Sequence, residues 1–262
     1  MNKRLISAII ASLITIPLII LGGIYFHVGI TILALLGLKE IIDLKESHGK
    51  IPKAMIIVSM LFIITFLLIN NTGKLNLSFG YYELIGALLL CLLIPTVIYR
   101  EGHYTTKDAF YLIGSTILIS MAFSMFITVR NAGLYKFVFL LIIPMLNDIF
   151  AYEIGSRIGK HKMCKTISPN KSWEGSIGGL VCGGAISLVF YGFLIERVNI
   201  NIILMVLLLS VVGQIGDLIM SKIKRENAIK DFSNIMPGHG GILDRLDSVI
   251  FVFIAYLVIM AL

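Results

Sequence analysis

Charged residues, cysteines and histidines are all scarce in this sequence. Charged residues make up 14% of the 262 residues and hydrophobic residues 58%, whereas a soluble domain has about 25% charged residues. This shortage of charge excludes an ordinary soluble domain. The three cysteines, Cys91, Cys164 and Cys182, include no Cys-x-x-Cys pair. The sequence therefore predicts neither a disulfide framework nor a zinc site.

Long apolar runs take up most of the chain instead. A helix needs about 20 apolar residues to cross a bilayer, and about nine segments approach that length. They lie at residues 5–22, 25–42, 54–70, 80–99, 109–129, 134–156, 173–195, 200–221 and 246–262. The first segment is long for a signal peptide and lacks a clear cleavage motif, so we expect a retained helix. The predicted fold class is all-α, a polytopic transmembrane helical protein with about nine spans.

The positions of Lys and Arg predict the orientation of these spans. If the N-terminus is cytoplasmic, the 22 Lys and Arg residues all fall on the cytoplasmic side except Lys74, Arg130, Lys136 and Arg197. That bias follows the positive-inside rule. The net charge of +7 then reflects cytoplasmic loops, and nucleic-acid binding is not predicted. The expected location is the inner or plasma membrane of the cell, as a multi-pass protein.

A polar stretch at residues 217–247 separates two apolar runs. Its chemically active residues are Asp217, Ser221, Lys224, Arg225, Lys230, Asp231, His239, Gly240, Gly241, Asp244, Arg245 and Asp247. Carboxylates hold Mg²⁺, Lys and Arg neutralise phosphates, and a glycine turn brings backbone N–H groups close to an anion. Together they predict a metal–phosphate site on the cytoplasmic face. The alternatives are a solvated loop, or an Asp217 that only pairs with Lys224 or Arg225.

A second polar segment, Ser168-Pro-Asn-Lys171-Ser172-Trp173-Glu174-Gly175, lies on the same predicted side of the membrane. Ser172 is expected to cap the helix that follows, and the start of that helix could bind an anion beside Lys171. Simple helix capping is the alternative. We interpret Trp173 as an interface anchor rather than a base-stacking residue. The glycines at 175, 179 and 183 allow either close helix packing or room for a ligand.

Just before this segment, residues 155–161 resemble a Walker A loop but depart from it. Three residues separate Gly155 from Gly159, one fewer than the Walker A motif has between its two glycines. His161 stands where Ser or Thr is required. A P-loop is therefore rejected.

The order of residues over 221–247 resembles the signature of the phosphatidate cytidylyltransferases, also called CDP-diacylglycerol synthases. The matching pattern is Ser-x-x-Lys-Arg, then Lys-Asp, then Pro-x-His-Gly-Gly-x-x-Asp-Arg-x-Asp. Met236 stands where the family has Leu, Ile or Phe, which is a conservative departure. The segment 168–175 is also similar to a motif of that family. The resemblance implies transfer of CMP from CTP to phosphatidic acid, giving CDP-diacylglycerol and pyrophosphate for phospholipid biosynthesis.

This resemblance and the residue chemistry together define a set of expected roles. Mg²⁺ is expected on Asp217, Asp244 and Asp247, and this number of carboxylates leaves room for a second cation. Lys224 and Arg225 are the further catalytic residues. Substrate binding is assigned to Lys171, Ser172, Ser221, Lys230, Asp231, His239, Gly240, Gly241 and Arg245. His239 is a phosphate donor or holds the turn, and an acid for pyrophosphate departure is the alternative. The family also implies a homodimer.

The two halves of the chain are expected to have different tasks. Residues 1–135 have acidic residues such as Glu40 near helix ends, where solvation is the expected role. This half is predicted to supply packing and a lipid groove or an oligomer contact. Residues 136–262 are predicted to form the catalytic region. Asp148 lies inside a span there, which marks it as a functional hypothesis. The alternative is an Asp148 that pairs with a lysine for packing.

Two other functions remain open from the sequence. Asp148 and Asp217 could line the cation path of a transporter, although the halves show no repeated polar pattern. Another nucleotidyltransferase acting on a lipid phosphate would carry similar residues. Substrate assays separate these alternatives.

Overall fold

The computed structural model describes residues 3–46, 49–72, 80–99, 103–238 and 240–261. Helices occupy every segment that was predicted as a span. Their bounds are α1 (Lys3–Leu21), α2 (Gly23–Glu46), α3 (Lys53–Thr72), α4 (Tyr81–Leu93), α5 (Pro95–Ile98), α6 (Thr106–Ala132), α7 (Leu134–Ile158), α8 (Trp173–Gly178), α9 (Gly184–Leu194), α10 (Ile200–Glu226) and α11 (Leu243–Ala261). A π-helical turn, Gly179–Gly183, joins α8 to α9.

Six helices in the described part of the chain are long and apolar enough to cross a membrane. They are Gly23–Lys45, Tyr81–Ile98, Thr106–Ala132, Leu134–Ile158, Trp173–Leu194 and Ile200–Glu226. The shorter apolar helices are Ser7–Leu21 and Lys53–Ile69. The prediction of an all-α, multi-pass membrane protein is confirmed at this level.

The chain folds as two compact units. The first consists of Met1–Thr128 together with Phe232–Leu243, and the second of Val129–Asp231 together with Asp244–Leu262. In the first unit, α2 packs against α1 and α3, and α3 packs against α4. The Tyr111 hydroxyl donates a hydrogen bond of 2.7 Å to the Ile41 carbonyl, which ties α6 to α2. The separate prediction about the tasks of residues 1–135 and 136–262 stays a prediction.

The second unit is built around α7. This helix contacts α8, the π-helical turn, α9 and α10. A Cβ atom added at Gly179 would lie 2.6 Å from the Asn147 carbonyl oxygen, and one at Gly183 would lie 2.9 Å from the Asn147 nitrogen. Only glycine allows this approach of two helix backbones. The glycine ladder at 175, 179 and 183 therefore serves helix packing, the first of the two interpretations.

A short antiparallel hairpin connects α7 to α8, where the sequence indicated only a turn. Its strands are β1 (Lys162–Cys164) and β2 (Ser168–Ser172). Ser172 ends β2 and caps α8, because its hydroxyl accepts a hydrogen bond of 3.2 Å from the Gly175 nitrogen. The capping role expected for Ser172 is present. The hairpin also places Lys171 immediately before the start of a membrane helix.

Candidate functional site

The second unit contains a polar cavity of about 270 Å³. Its lining includes Asp148 from α7, Lys171 from β2, Ser176 from α8, and Gln214 and Asp217 from α10. These side chains come from three separate parts of the sequence, namely α7, the adjoining β2 and α8, and α10. The close packing of α7, α8 and α10 brings them together.

An ion pair between Lys171 and Asp217 stands in this cavity. Both side chains are partly exposed, 27% for Lys171 and 20% for Asp217. The Ser221 hydroxyl donates a hydrogen bond of 3.2 Å to the second carboxylate oxygen of Asp217, one turn away on α10. Asp217 thus pairs with Lys171 and not with Lys224 or Arg225, the partners that the sequence alternative proposed. The contact joins the two motif segments, 168–175 and 217–247.

A buried amide network supports the cavity from α7 and α10. The Asn147 side-chain amide donates to the Ser210 carbonyl at 3.1 Å. The Gln214 amide donates to the Asn147 side-chain oxygen at 2.9 Å and to the Ser176 carbonyl at 3.0 Å. The Ser176 hydroxyl completes the network by donating to Gln214. Sequence reasoning missed this network, although an Asn and a Gln inside apolar spans were a signal.

A second ion pair joins the last turn of α10 to the first turn of α11. The Lys224 ammonium lies 2.7 Å from a carboxylate oxygen of Asp244. Only 10% of the Lys224 side chain and 3% of the Asp244 side chain are exposed. A charge buried to this extent is tolerated when it is paired, so each residue stabilises the other.

Two further carboxylates complete an acidic cluster. Asp247 interacts electrostatically with Asp217, Asp148 and Lys224. Asp148 also interacts electrostatically with Lys171, and the Ser248 backbone N–H donates a hydrogen bond of 2.8 Å to Asp247. The sequence alternative was that Asp148 pairs with a lysine for packing, and the interaction with Lys171 agrees with its first half. Asp148 also lines the cavity, which a residue that serves only packing would not need to do.

The donor chemistry of this cluster suits a divalent cation. Asp148 and Asp217 line one cavity and Asp247 interacts with both, and carboxylate oxygens are the ligands that Mg²⁺ prefers. Within the described residues, no three His, Cys, Asp or Glu side chains are arranged to hold a metal ion. Lys171 and Lys224 neutralise Asp217 and Asp244 instead. A cation on these carboxylates would therefore replace lysine contacts.

The glycine turn of the polar stretch belongs to the first unit. Met236 and Gly240 exchange two backbone hydrogen bonds of 3.0 and 3.1 Å, and Gly240 has a φ of 84°. Its N–H group therefore closes the turn, and the predicted phosphate contact stays a prediction. His239 lies outside the described residues. A Cβ atom on Gly241 would lie 2.7 Å from the Glu40 carboxylate carbon, so a side chain there would collide with Glu40.

Glu40 holds this segment from α2. Its carboxylate is buried, with 1% of the residue exposed. It accepts hydrogen bonds from the Ser233 hydroxyl at 2.6 Å, the Ile242 nitrogen at 2.8 Å and the Leu243 nitrogen at 2.9 Å. The expectation that Glu40 is only solvated is wrong. Leu243 is the first residue of α11, so Glu40 satisfies a backbone donor that the helix itself leaves unpaired.

Replacing Glu40 with Gln is expected to loosen the segment 233–243. Gln keeps one acceptor oxygen but turns an NH₂ group toward a backbone N–H, which leaves a buried donor unsatisfied. We expect the free energy of unfolding to fall by about 2–4 kcal/mol. The amides of Ile242 and Leu243 should then exchange hydrogen faster, as measured by mass spectrometry. Asp43→Asn, at an exposed position of the same helix, is the matched control and should leave both unchanged. Unaltered exchange in Glu40→Gln would contradict this role.

The remaining predicted residues lie outside the cavity lining. Arg225 donates to the Ile167 carbonyl at 3.4 Å and to the Ile229 carbonyl at 3.2 Å, so it ties the end of α10 to the loop before β2. Lys230, Asp231 and Arg245 are exposed. Their substrate contacts stay predictions.

Apolar helices that enclose carboxylates and lysines define a multi-pass membrane protein with a polar site among its helices. The chain belongs to the Cytidylyltransferase family, because the model of that family matches residues 2–262. A phosphatidate cytidylyltransferase of Staphylococcus haemolyticus is 36% identical over 253 residues, which cover 96% of each chain. Proteins of the same name from Staphylococcus aureus and Staphylococcus epidermidis are also 36% identical over 254 residues, with 96% coverage of each chain. The resemblance drawn from residues 221–247 is confirmed.

Proposed function

We propose that this chain transfers CMP from CTP to phosphatidic acid and releases pyrophosphate. The observation that carries the proposal is the Lys171–Asp217 pair in a cavity that Asp148 also lines. The two motif segments meet at this pair, and each resembles a motif of the phosphatidate cytidylyltransferases. The relatives of that name match nearly the full length of the chain, which supports phosphatidic acid over another lipid acceptor.

The reaction needs charge neutralisation and alignment more than proton transfer. An oxygen of the lipid phosphate attacks the α-phosphorus of CTP, and the bond from that phosphorus to the β-phosphate oxygen breaks. Pyrophosphate leaves with the bonding electrons. A phosphomonoester has a second pKa of about 6, so the attacking oxygen is ionised at neutral pH without a general base. A chain with only 5 histidines can carry out such chemistry by orientation and electrostatics.

Lysines held by carboxylates are suited to this task. Lys171 stands in the cavity beside Asp217, and Lys224 is paired with Asp244. On substrate binding, each ammonium group would exchange its carboxylate contact for a phosphate oxygen. The carboxylates hold the lysines in position before substrate binds. Ser221 and Gln214 orient the groups around them through the hydrogen bonds described above.

Mg²⁺ is part of the proposal. Asp217, Asp244 and Asp247 would hold it, and a second cation is compatible with this many carboxylates. Asp148 lines the same cavity as Asp217. When bound, Mg²⁺ would neutralise charge on the CTP phosphates. Arg225, Lys230, Asp231, His239, Gly240, Gly241 and Arg245 are proposed as further substrate contacts on the resemblance alone.

The arrangement in the membrane is also proposed. About nine spans with a cytoplasmic N-terminus agree with the Lys and Arg distribution. That orientation gives the active site access to CTP from the cytoplasmic face of the inner or plasma membrane. Residues 136–262 would be the catalytic region, and residues 1–135 would supply packing and a lipid groove or an oligomer contact. A homodimer is proposed by family resemblance.

The test is transfer of labelled cytidylate into organic-soluble lipid. Purified protein, phosphatidic acid and CTP are combined with Mg²⁺, with a chelator, and with Mg²⁺ restored. We expect transfer that is lost with the chelator and recovered with Mg²⁺. Transfer that survives the chelator would keep the reaction and reject the metal. A folded protein that transfers nothing across several nucleotides and lipid acceptors would reject the enzyme, and ion flux in liposomes would then test the transporter alternative.

A further inference from the structure

A second concave surface lies in the second unit, and its residues have no role in the proposed reaction. This groove has a volume of about 830 Å³. It is lined by Lys160, His161, Lys162, Lys165, Trp173, Glu174 and Ile177. Within the described residues, the groove and the polar cavity share no lining residue.

The hairpin and α8 separate the groove from the cavity. Met163 lines the cavity and its neighbour Lys162 lines the groove, so adjacent residues of β1 contribute to different surfaces. On α8, Ser176 lines the cavity while Trp173 and Ile177, four residues apart, share the groove. One set of backbone elements thus presents two different surfaces.

The polar part of the groove is cationic. Lys160, Lys162 and Lys165 are all exposed. The Glu174 carboxylate lies 2.6 Å from His161 Nδ1, and it also accepts from the His161 backbone N–H at 3.2 Å. The acidic group of the groove is therefore engaged by His161, and the lysines give the surface its charge.

The other part of the groove is apolar and exposed. Trp173 is 54% exposed and Ile177 is 59% exposed. Both lie in the first turns of Trp173–Leu194, a segment long and apolar enough to cross a membrane. Lysine beside tryptophan at the end of such a helix is typical of the membrane–water interface, where anionic headgroups meet acyl chains.

We propose that the groove binds an anionic phospholipid of the surrounding bilayer, separately from the lipid that reacts. Its phosphate would contact Lys160, Lys162 and Lys165, and its acyl chain would lie along Trp173 and Ile177. Charge complementarity selects an anionic headgroup. The exposed Ile177 selects a lipid over a nucleotide, because a nucleotide has no apolar chain to cover it.

Trp173 is the only tryptophan in the chain, so its fluorescence reports on the groove alone. The protein is placed in phosphatidylcholine nanodiscs that contain an equal fraction of one brominated lipid, with the bromines near the headgroup end of the chains. We expect brominated phosphatidylglycerol to quench Trp173 about twofold more than brominated phosphatidylcholine, since the lysines enrich the anionic lipid locally. The triple variant Lys160→Gln, Lys162→Gln, Lys165→Gln should lose this preference. Lys107→Gln, an exposed lysine of α6, should retain it.

Three results would overturn the proposal. The first is equal quenching by the two lipids, or a preference that survives in a triple variant with unchanged circular dichroism. The second is a preference for brominated phosphatidic acid without one for phosphatidylglycerol, which would assign the groove to the reacting lipid. The third is a change in Trp173 emission with CTP but not with phosphatidylglycerol, which would assign it to the nucleotide. Quenching requires no turnover, so its failure is distinguishable from failure of the proposed reaction.

Discussion

Asp217→Asn is expected to lower kcat/KM for cytidylate transfer about 10³-fold, which is the size of effect seen when a group that organises transition-state charge is removed. The change keeps the shape of the side chain and removes its charge. Asp217 orients Lys171 and accepts a hydrogen bond from Ser221, and it is a proposed Mg²⁺ ligand. Losing the charge should release the lysine and also weaken the proposed Mg²⁺ site.

The effect on folding should be small, which makes the variant informative. Lys171 and Asp217 are 27% and 20% exposed, so solvent screens much of their attraction, and the expected cost is about 1 kcal/mol or less. Rates are measured against CTP and phosphatidic acid separately, with the thermal unfolding midpoint recorded alongside.

The same helix supplies a matched control. Glu226 forms an exposed pair with Lys222 at 3.7 Å, so Glu226→Gln also removes one carboxylate charge from an ion pair on α10. It should leave both rate and midpoint unchanged. An Asp217→Asn protein that is folded and retains more than about a tenth of the parental rate would remove Asp217 from the catalytic machinery.

Asp244→Asn is expected to have the largest effect on stability. Lys224 and Asp244 are 10% and 3% exposed at a separation of 2.7 Å. Removing one charge deprives the other, which stays buried, of this close counter-charge, and breaking a buried pair costs about 3–5 kcal/mol. The free energy of unfolding can be measured by denaturant titration in a single detergent. Cytidylate transfer by the folded fraction should also be abolished if Asp244 is a metal ligand.

A double variant separates the two roles of Asp244. In Lys224→Gln/Asp244→Asn both charges are absent, so most of the lost stability should return, and the coupling in the double-mutant cycle measures the pair. Transfer should stay absent, because the groups proposed to contact Mg²⁺ and phosphate are missing. Recovery of both stability and transfer would show that the pair is structural. An Asp244→Asn protein as stable as the parent would contradict the buried-pair interpretation.

The positions of the helices could be predicted from local composition. Each apolar run has a helix over it, since backbone groups in a bilayer must be satisfied within their own segment. The glycine spacing at 175, 179 and 183 likewise placed small residues along one helix face, although it left open whether that face packs or makes room for a ligand. Such properties depend on residues that are neighbours along one helix.

Contacts between distant segments could not be predicted in the same way. Lys171 pairs with Asp217 across 46 positions, where the sequence alternative had named nearby residues of α10 as partners. Glu40 contacts Leu243, which lies 203 positions further along the chain. The sequence around Glu40 does not show whether its carboxylate is solvated or is a buried hydrogen-bond acceptor.

The sequence by itself determined that this chain is a helical membrane protein with its motif residues concentrated in two polar segments, and it determined the family. Apolar runs and a local motif consist of residues that are close together in the sequence, so both can be recognised without knowing the tertiary structure. Only the tertiary structure decided which charges pair, which glycines face a helix and which acid holds the 233–243 segment. Those outcomes depend on how helices pack, because packing alone decides which buried donors and charges must satisfy one another.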